Sequence, residues 1–177
     1  RALDGVRVIL TRPKELISRM SKSLSGLGAE VIELPSIDLV PYEQNEPLQT
    51  ALEDIVSYQW VAFTSAMGVR FFFDFLQKNR VDVRRLSHLR FAVIGQGTRD
   101  ELAKHGIFAD LMPSSYYAKD LAQALCQTMQ KGQRVLLPRA RIGSKDLTDI
   151  LTQNGIEFTD VALYDTIYQS HNTHAVE

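Results

Sequence analysis

The stretch Val6-Arg-Val-Ile-Leu-Thr-Arg-Pro13, followed by a polar helical pattern and Leu27-Gly-Ala-Glu-Val-Ile-Glu-Leu-Pro35, decides the fold class, because the chain states this grammar twice. The second statement is Gln133-Arg-Val-Leu-Leu-Pro-Arg139, a polar helical pattern, Asn154-Gly-Ile-Glu-Phe158 and the closing run Val161-Ala-Leu-Tyr-Asp165. Each reads as a buried strand, a turn carrying an arginine, a helix stopped by glycine and a further strand. That is a βαβ unit used twice. Ligands of open α/β sheets bind outside the carboxyl ends of the strands. Arg12 and Arg139 stand at such ends, so the duplication predicts two basic half-sites facing one acidic ligand.

Outward from these stretches, short apolar runs at 6–10, 31–34, 60–64, 91–94, 109–112, 135–137 and 161–164 predict strands covered on both faces. Helical patterns fall between most of them, at 15–27, 48–57, 66–78, 99–105, 118–129 and 144–153, several ending at glycine. Strand and helix alternate, so the class is α/β with a mainly parallel sheet. Two places break the rhythm. Residues 35–41 are extended, bracketed by prolines, and lead into a polar stretch, which reads as a linker. Residues 168–177 are polar without periodicity and read as a second linker or a fraying end.

The five strand candidates in 36–168 suffice for one complete flavodoxin-like domain. Residues 1–35 supply two strands and one helix, which cannot bury both faces of a sheet. They are expected to form, with 169–177, part of a first flavodoxin-like domain whose remaining strands follow residue 177. A start at Arg1 rather than Met fits a piece of a longer product.

The chain has 177 residues, 45% of them apolar, and a net charge of -1, so bulk electrostatics favour neither nucleic acid nor an anionic membrane surface. The basic residues are dispersed, which argues against a DNA-binding face. Cys126 is the single cysteine and lies in an apolar helical pattern, so it reads as core in a reducing, cytoplasmic setting. No signal peptide or membrane-spanning run is visible.

Metal chemistry is not expected. His171 and His174 lie in the polar tail with only Glu177 nearby, and His88 and His105 lie on separate segments. There is no Walker loop, no nucleophile elbow and no acidic cluster of the kind that holds Mg²⁺ at a strand end.

Four places could carry chemistry. In Ala62-Phe-Thr-Ser-Ala-Met-Gly-Val69, Thr64 and Ser65 stand where a strand turns into a helix. Their hydroxyls can cap that helix, or share its exposed N–H groups with a bound carboxylate. The run Phe71, Phe72, Phe73 and Phe75 reads as core, because no basic stripe accompanies it. Ile94-Gly-Gln-Gly-Thr-Arg-Asp100 resembles part of a dinucleotide fingerprint, but Asp100 stands where the third glycine belongs. Gly95 and Gly97 would let backbone N–H groups approach an anion, Thr98 offers a hydroxyl at the helix start, and the alternative is a tight turn. A nucleotide reading also needs a ribose-binding acid, and Asp110 comes too soon after Gly95. Leu137-Pro-Arg-Ala-Arg-Ile-Gly-Ser-Lys145 places three cations at and after a strand end, either a solvated loop or a carboxylate clamp. Read as a surface loop, Arg139 could be removed with little effect on folding. Tyr164 ends a strand.

Val-Ile-Leu-Thr-Arg-Pro, Leu-Gly-Ala-Glu-Val-Ile-Glu-Leu-Pro, Phe-Thr-Ser-Ala-Met-Gly-Val, Ala-Val-Ile-Gly-Gln-Gly-Thr and Ala-Leu-Tyr-Asp-Thr resemble, in serial order over residues 4–168, the uroporphyrinogen-III synthases. The resemblance implies two flavodoxin-like domains joined by two linkers. It implies a cofactor-free lyase of heme and porphyrin biosynthesis that cyclises the linear tetrapyrrole hydroxymethylbilane and inverts its last ring through a spiro intermediate. It implies a monomer, alone, fused to, or working beside other enzymes of tetrapyrrole biosynthesis. By matched position it assigns catalytic roles to Tyr164 and Thr98, and substrate-binding roles to Arg12, Thr64, Ser65, Gly95, Gly97, Arg139 and Lys145. The loop after Arg139 departs from the family's commoner Gly-Arg ending. A non-catalytic tetrapyrrole-binding or regulatory module built on the same fold is the alternative.

Overall fold

Arg7–Leu10 (β1) and Glu30–Glu33 (β2) pair in parallel, with Ile9 beside Ile32. The computed structural model to which they belong describes residues 1–12 and 14–168. The expectations for 169–177, including His171, His174 and Glu177, and Pro13 of the Thr-Arg-Pro turn lie outside the described residues. Helix α1 (Lys14–Gly26) joins the two strands and packs on β2. Strand side chains alternate between faces, and here Leu10 is buried while Ile9 and Ile32 are exposed.

The larger sheet has the order β3-β7-β6-β4-β5, built from Ile37–Pro41 (β3), Trp60–Phe63 (β4), Arg90–Val93 (β5), Arg134–Ala140 (β6) and Glu157–Tyr168 (β7). The pairs β4–β5, β4–β6 and β6–β7 are parallel. Helices α2 (Glu46–Glu53), α3 (Ala66–Lys78), α4 (Gly95–Ala103), α5 (Ala118–Thr128) and α6 (Lys145–Gln153) fill the connections. Trp60-Val-Ala-Phe63 is buried throughout because both faces of β4 are covered. Trp60 and Ala62 face α5 and α6 through Leu121, Leu125, Leu147 and Leu151. On the other face Phe63 meets Phe72 of α3 edge to face at 5.4 Å. Phe72, Phe73 and Phe75 are buried, as core residues should be, and Phe71 is half-buried. The chain divides into two compact units, Arg1–Val40 with the stretch from Thr166, and Pro41–Asp165.

Several expectations need correction. Residues 37–41 form an edge strand rather than a bare linker, since prolines keep them extended and an edge tolerates the missing N–H of Pro41. Residues 109–112 make one parallel bridge, Leu111 to Ala92, instead of a strand. The Asp110 carboxylate accepts the Phe91 N–H at 2.7 Å, and this side-chain bond takes the place of a ladder bond. Strand β7 is far longer than 161–164 and absorbs Glu157 and Phe158, which lie before the predicted closing strand. Cys126 is half-buried against the core of α5 and α6, and burial pushes its thiol pKa up.

Candidate functional site

The chain leaves β4 through Thr64 and enters α3 at Ser65. Ser65 has extended backbone and its hydroxyl accepts the Gly68 N–H at 3.0 Å, so the residue caps the helix as its position predicts. The same oxygen lies 3.2 Å from the phenol oxygen of Tyr164 on β7. Tyr164 is buried, its ring centroid is 5.0 Å from that of Phe71, and its carbonyl accepts the Arg141 N–H at 3.0 Å. Two residues singled out in the sequence are thus hydrogen-bonded, the hydroxyl of one serving both a helix cap and a tyrosine.

Crossing from β4 to β5 and then back over β4 to β6 reverses the strand order between β4 and β6. The carboxyl ends at such a reversal leave a crevice. A cleft of about 420 Å³ lies there, with Thr64 after β4, Ile94 after β5 and Arg139 on β6. Its remaining wall comes from Tyr116 and Tyr117 before α5, Lys119 in the first turn of α5, and Ser144 and Asp146 at the start of α6. Gly95 opens α4 at φ +73°, and a Cβ there would stand 2.7 Å from the Tyr116 ring. Only glycine fits both the backbone and this close approach.

Arg139 departs most from expectation. It is 6% exposed. Its Nε and Nη2 donate to the two carboxylate oxygens of Asp160 at 2.8 and 2.6 Å, and its Nη1 donates to the Ser144 carbonyl at 2.8 Å. Gly143 lies so close that a Cβ would stand 2.6 Å from Nη1. The arginine borders the cleft, but its fork is engaged within the protein. The view of it as a dispensable surface cation is therefore incorrect; the cause is Asp160, twenty-one positions away and adjacent only once β6 and β7 pair.

The other candidates fall as follows. Lys145 opens α6 and is exposed. Gly97 is exposed in α4, and Thr98, the fourth residue of that helix, closes its first turn and is buried. Arg12 is exposed just past β1 in the first unit. The Asp110 carboxylate accepts the Phe91 N–H, and the His88 ring nitrogen lies 3.2 Å from the Ile55 carbonyl. Among the described residues no group of three or more His, Cys, Asp and Glu side chains could hold a metal ion, and no helix is long and apolar enough to cross a membrane. The sequence missed Tyr116, Tyr117, Lys119 and Asp146. The available signal was two adjacent aromatics just before a helix and a lysine in its first turn.

These features define an α/β protein with a mostly parallel sheet and a ligand-sized cleft at the reversal of strand order. The family model described as uroporphyrinogen-III synthase HemD matches residues 18–177, and the chain belongs to that family. The porphyrin biosynthesis protein HemD of Ruminiclostridium josui is 35% identical over 177 residues, covering 100% of this chain and 35% of that protein. The uroporphyrinogen-III synthase of Synechococcus elongatus is 31% identical over 168 residues, covering 93% of this chain and 62% of that protein. The chain thus spans about one third and three fifths of these two relatives. A crystal structure of a mutant uroporphyrinogen III synthase from the extremely thermophilic bacterium Thermus thermophilus shares the fold with a TM-score of 0.65 at 13% identity, over 93% of this chain and 64% of that one. The corresponding enzyme structure from Helicobacter pylori gives 0.56 at 17% identity, over 81% and 59%.

Proposed function

We propose that this chain supplies the Tyr164-bearing part of a uroporphyrinogen-III synthase, which closes hydroxymethylbilane to uroporphyrinogen III with inversion of the last pyrrole ring and loss of water. The observation that carries the reading is the hydrogen-bonded pair of Ser65 and Tyr164, formed at the turn whose preceding residue, Thr64, lines the cleft. Departure of the substrate hydroxyl as water needs a proton, and leaves an azafulvenium-like cation. With the Ser65 hydroxyl donating to the phenol oxygen, the phenol would be fixed in place and its own O–H left to serve that step. The last ring then attacks at its substituted carbon, the spiro intermediate fragments, the ring recloses inverted, and loss of a proton from the newly bonded ring carbon discharges the cation and returns the proton spent on the hydroxyl. The substrate can also close unaided to the wrong isomer, so the protein's main task is to hold the chain ends in the productive geometry. Thr64, the backbone at Gly95 and Gly97, and the cation Lys145 would hold its acetate and propionate groups. Buried Thr98 would act by fixing the first turns of α4. Arg139 would act through its bond to Asp160, positioning the end of β6.

This reading extends to the architecture: 36–168 as a flavodoxin-like domain, and 1–35 with 169–177 as part of a second one. It also extends to a cytoplasmic monomer that uses no cofactor, fused to or working beside other enzymes of tetrapyrrole biosynthesis. The test uses the full-length protein with hydroxymethylbilane and no added metal or nucleotide. Mainly type III product is expected. Type I alone, the isomer formed spontaneously, overturns the catalytic reading, and binding without turnover would favour a tetrapyrrole-binding module.

A further inference from the structure

Large aromatic side chains left open to solvent in a concave cleft are more informative than scattered surface apolar residues. Tyr116 and Tyr117 are 74% and 66% exposed, and both line the cleft at the ends of β4, β5 and β6. Neither is loosely placed. The Tyr116 ring lies against the backbone of Gly95, and the Ser115 hydroxyl donates to the Asp120 carboxylate, which ties the segment to the first turn of α5. Lys119 follows, its Nζ 5.5 Å from the centre of the Tyr117 ring. Because the Arg139 fork is taken by Asp160 and Ser144, Lys119 is, among the described residues lining the cleft, the cation left to meet an external anion.

We infer that the segment Tyr116–Lys119 is a binding wall for one carboxylated pyrrole ring, with the tyrosines supplying flat faces and Lys119 the countercharge. The inference rests on the tetrapyrrole reading above and names residues that reading does not include. A flat heteroaromatic ring stacks on a tyrosine face, and stacking of this kind tolerates different ring substituents. The ring's acetate or propionate reaches an ammonium on a flexible stem. Its N–H needs an acceptor, and Asp146, at the start of α6 in the same cleft, presents one. A cleft with aromatic faces, an ammonium beside one of them and one carboxylate suits a ligand carrying rings, acids and N–H donors together. A segment anchored at both Gly95 and Asp120 has little freedom left to lose on binding.

The test titrates uroporphyrin III, the stable oxidised macrocycle with the same carboxylates, into the full-length protein by porphyrin absorbance at two salt concentrations. Lys119→Gln is expected to weaken binding about 5- to 10-fold and to flatten its salt dependence, while Lys119→Arg keeps both near wild type. Tyr116→Ala is expected to weaken binding by about 5-fold or more, and Tyr116→Phe to restore it, because the ring face rather than the hydroxyl is used. All four side-chain changes fall on exposed positions, so folding is expected to survive them. If wild type binds and both Lys119→Gln and Tyr116→Ala bind equally well, the wall is wrong and the tetrapyrrole reading stands. If wild type shows no saturable binding, the tetrapyrrole reading fails and the wall fails with it.

Discussion

The side-chain oxygens of Ser65 and Tyr164 lie 3.2 Å apart although 99 residues separate them in the chain. Ser65 reaches this position because it caps α3, and Tyr164 because β7 carries it alongside β6, whose other neighbour is β4. Removing either hydroxyl therefore disturbs the other. Ser65→Ala is expected to cost about 0.5–2 kcal/mol as a lost cap, and Tyr164→Phe about 0.5–1.5 kcal/mol as a lost hydrogen bond. The double variant should cost less than the sum, measured by urea unfolding. Strict additivity would mean that the two hydroxyls do not interact.

Catalysis gives a separate reading of the same residue. If the proposed synthase function holds, Tyr164→Phe in the full-length protein should slow formation of the type III isomer without abolishing it, since the ring still packs on Phe71 and positioning survives. Activity indistinguishable from wild type would remove the phenol from the proton-transfer role.

Arg139→Ala should destabilise the protein by roughly 2–3 kcal/mol, below the range for a fully buried pair because the Asp160 side chain is 37% exposed. Arg139→Lys should recover only part of this, as an ammonium cannot bridge both carboxylate oxygens in the plane. A midpoint unchanged in denaturant would return Arg139 to the status of a surface cation.

Gly95 and Gly97 should respond oppositely to alanine. At Gly95 the positive φ alone costs about 1–2 kcal/mol, and the new Cβ meets the Tyr116 ring. Around Gly97 nothing lies within 4 Å of a Cβ, and its backbone is helical, so alanine should stabilise by about 0.4–1 kcal/mol. Paired denaturation curves decide it; equal effects would show that the turn into α4 does not constrain Gly95.

His105 stacks on Phe73 with ring centres 4.1 Å apart, and burial holds its pKa below the ordinary 6.5, against the opposing charges of Glu101 and Asp74. The unfolded chain then binds the proton more readily than the folded one. The stability from neutral His105 is full above pH 6.5 and is lost as pH falls from there through the lowered folded value. Thermal unfolding of wild type should show this loss between neutral and mildly acid pH, and His105→Phe should flatten it. An identical slope in the variant would assign the dependence to other groups.

Read without coordinates, the residues already specify the α/β class, the helix 66–78 to the residue, the Ser65 cap and the strands at 60–63 and 90–93 to within a residue or so. These follow from local causes: apolar runs long enough for strands, helical spacing, a hydroxyl before a helix. Whatever depends on distant partners waited for the folded chain. The proline-bracketed 37–41 became a strand because an open sheet edge lay beside it, and 109–112 failed to become one because the Asp110 side chain took the Phe91 N–H. Arg139 reads as a free cation until Asp160 is brought beside it by the pairing of β6 and β7. Tyr116, Tyr117 and Lys119 carry no periodic signal, and they become a cleft wall only where the strand order reverses and Gly95 admits a ring against its backbone. Local sequence encodes conformation, whereas pairing across the sheet decides which charges remain available to a ligand.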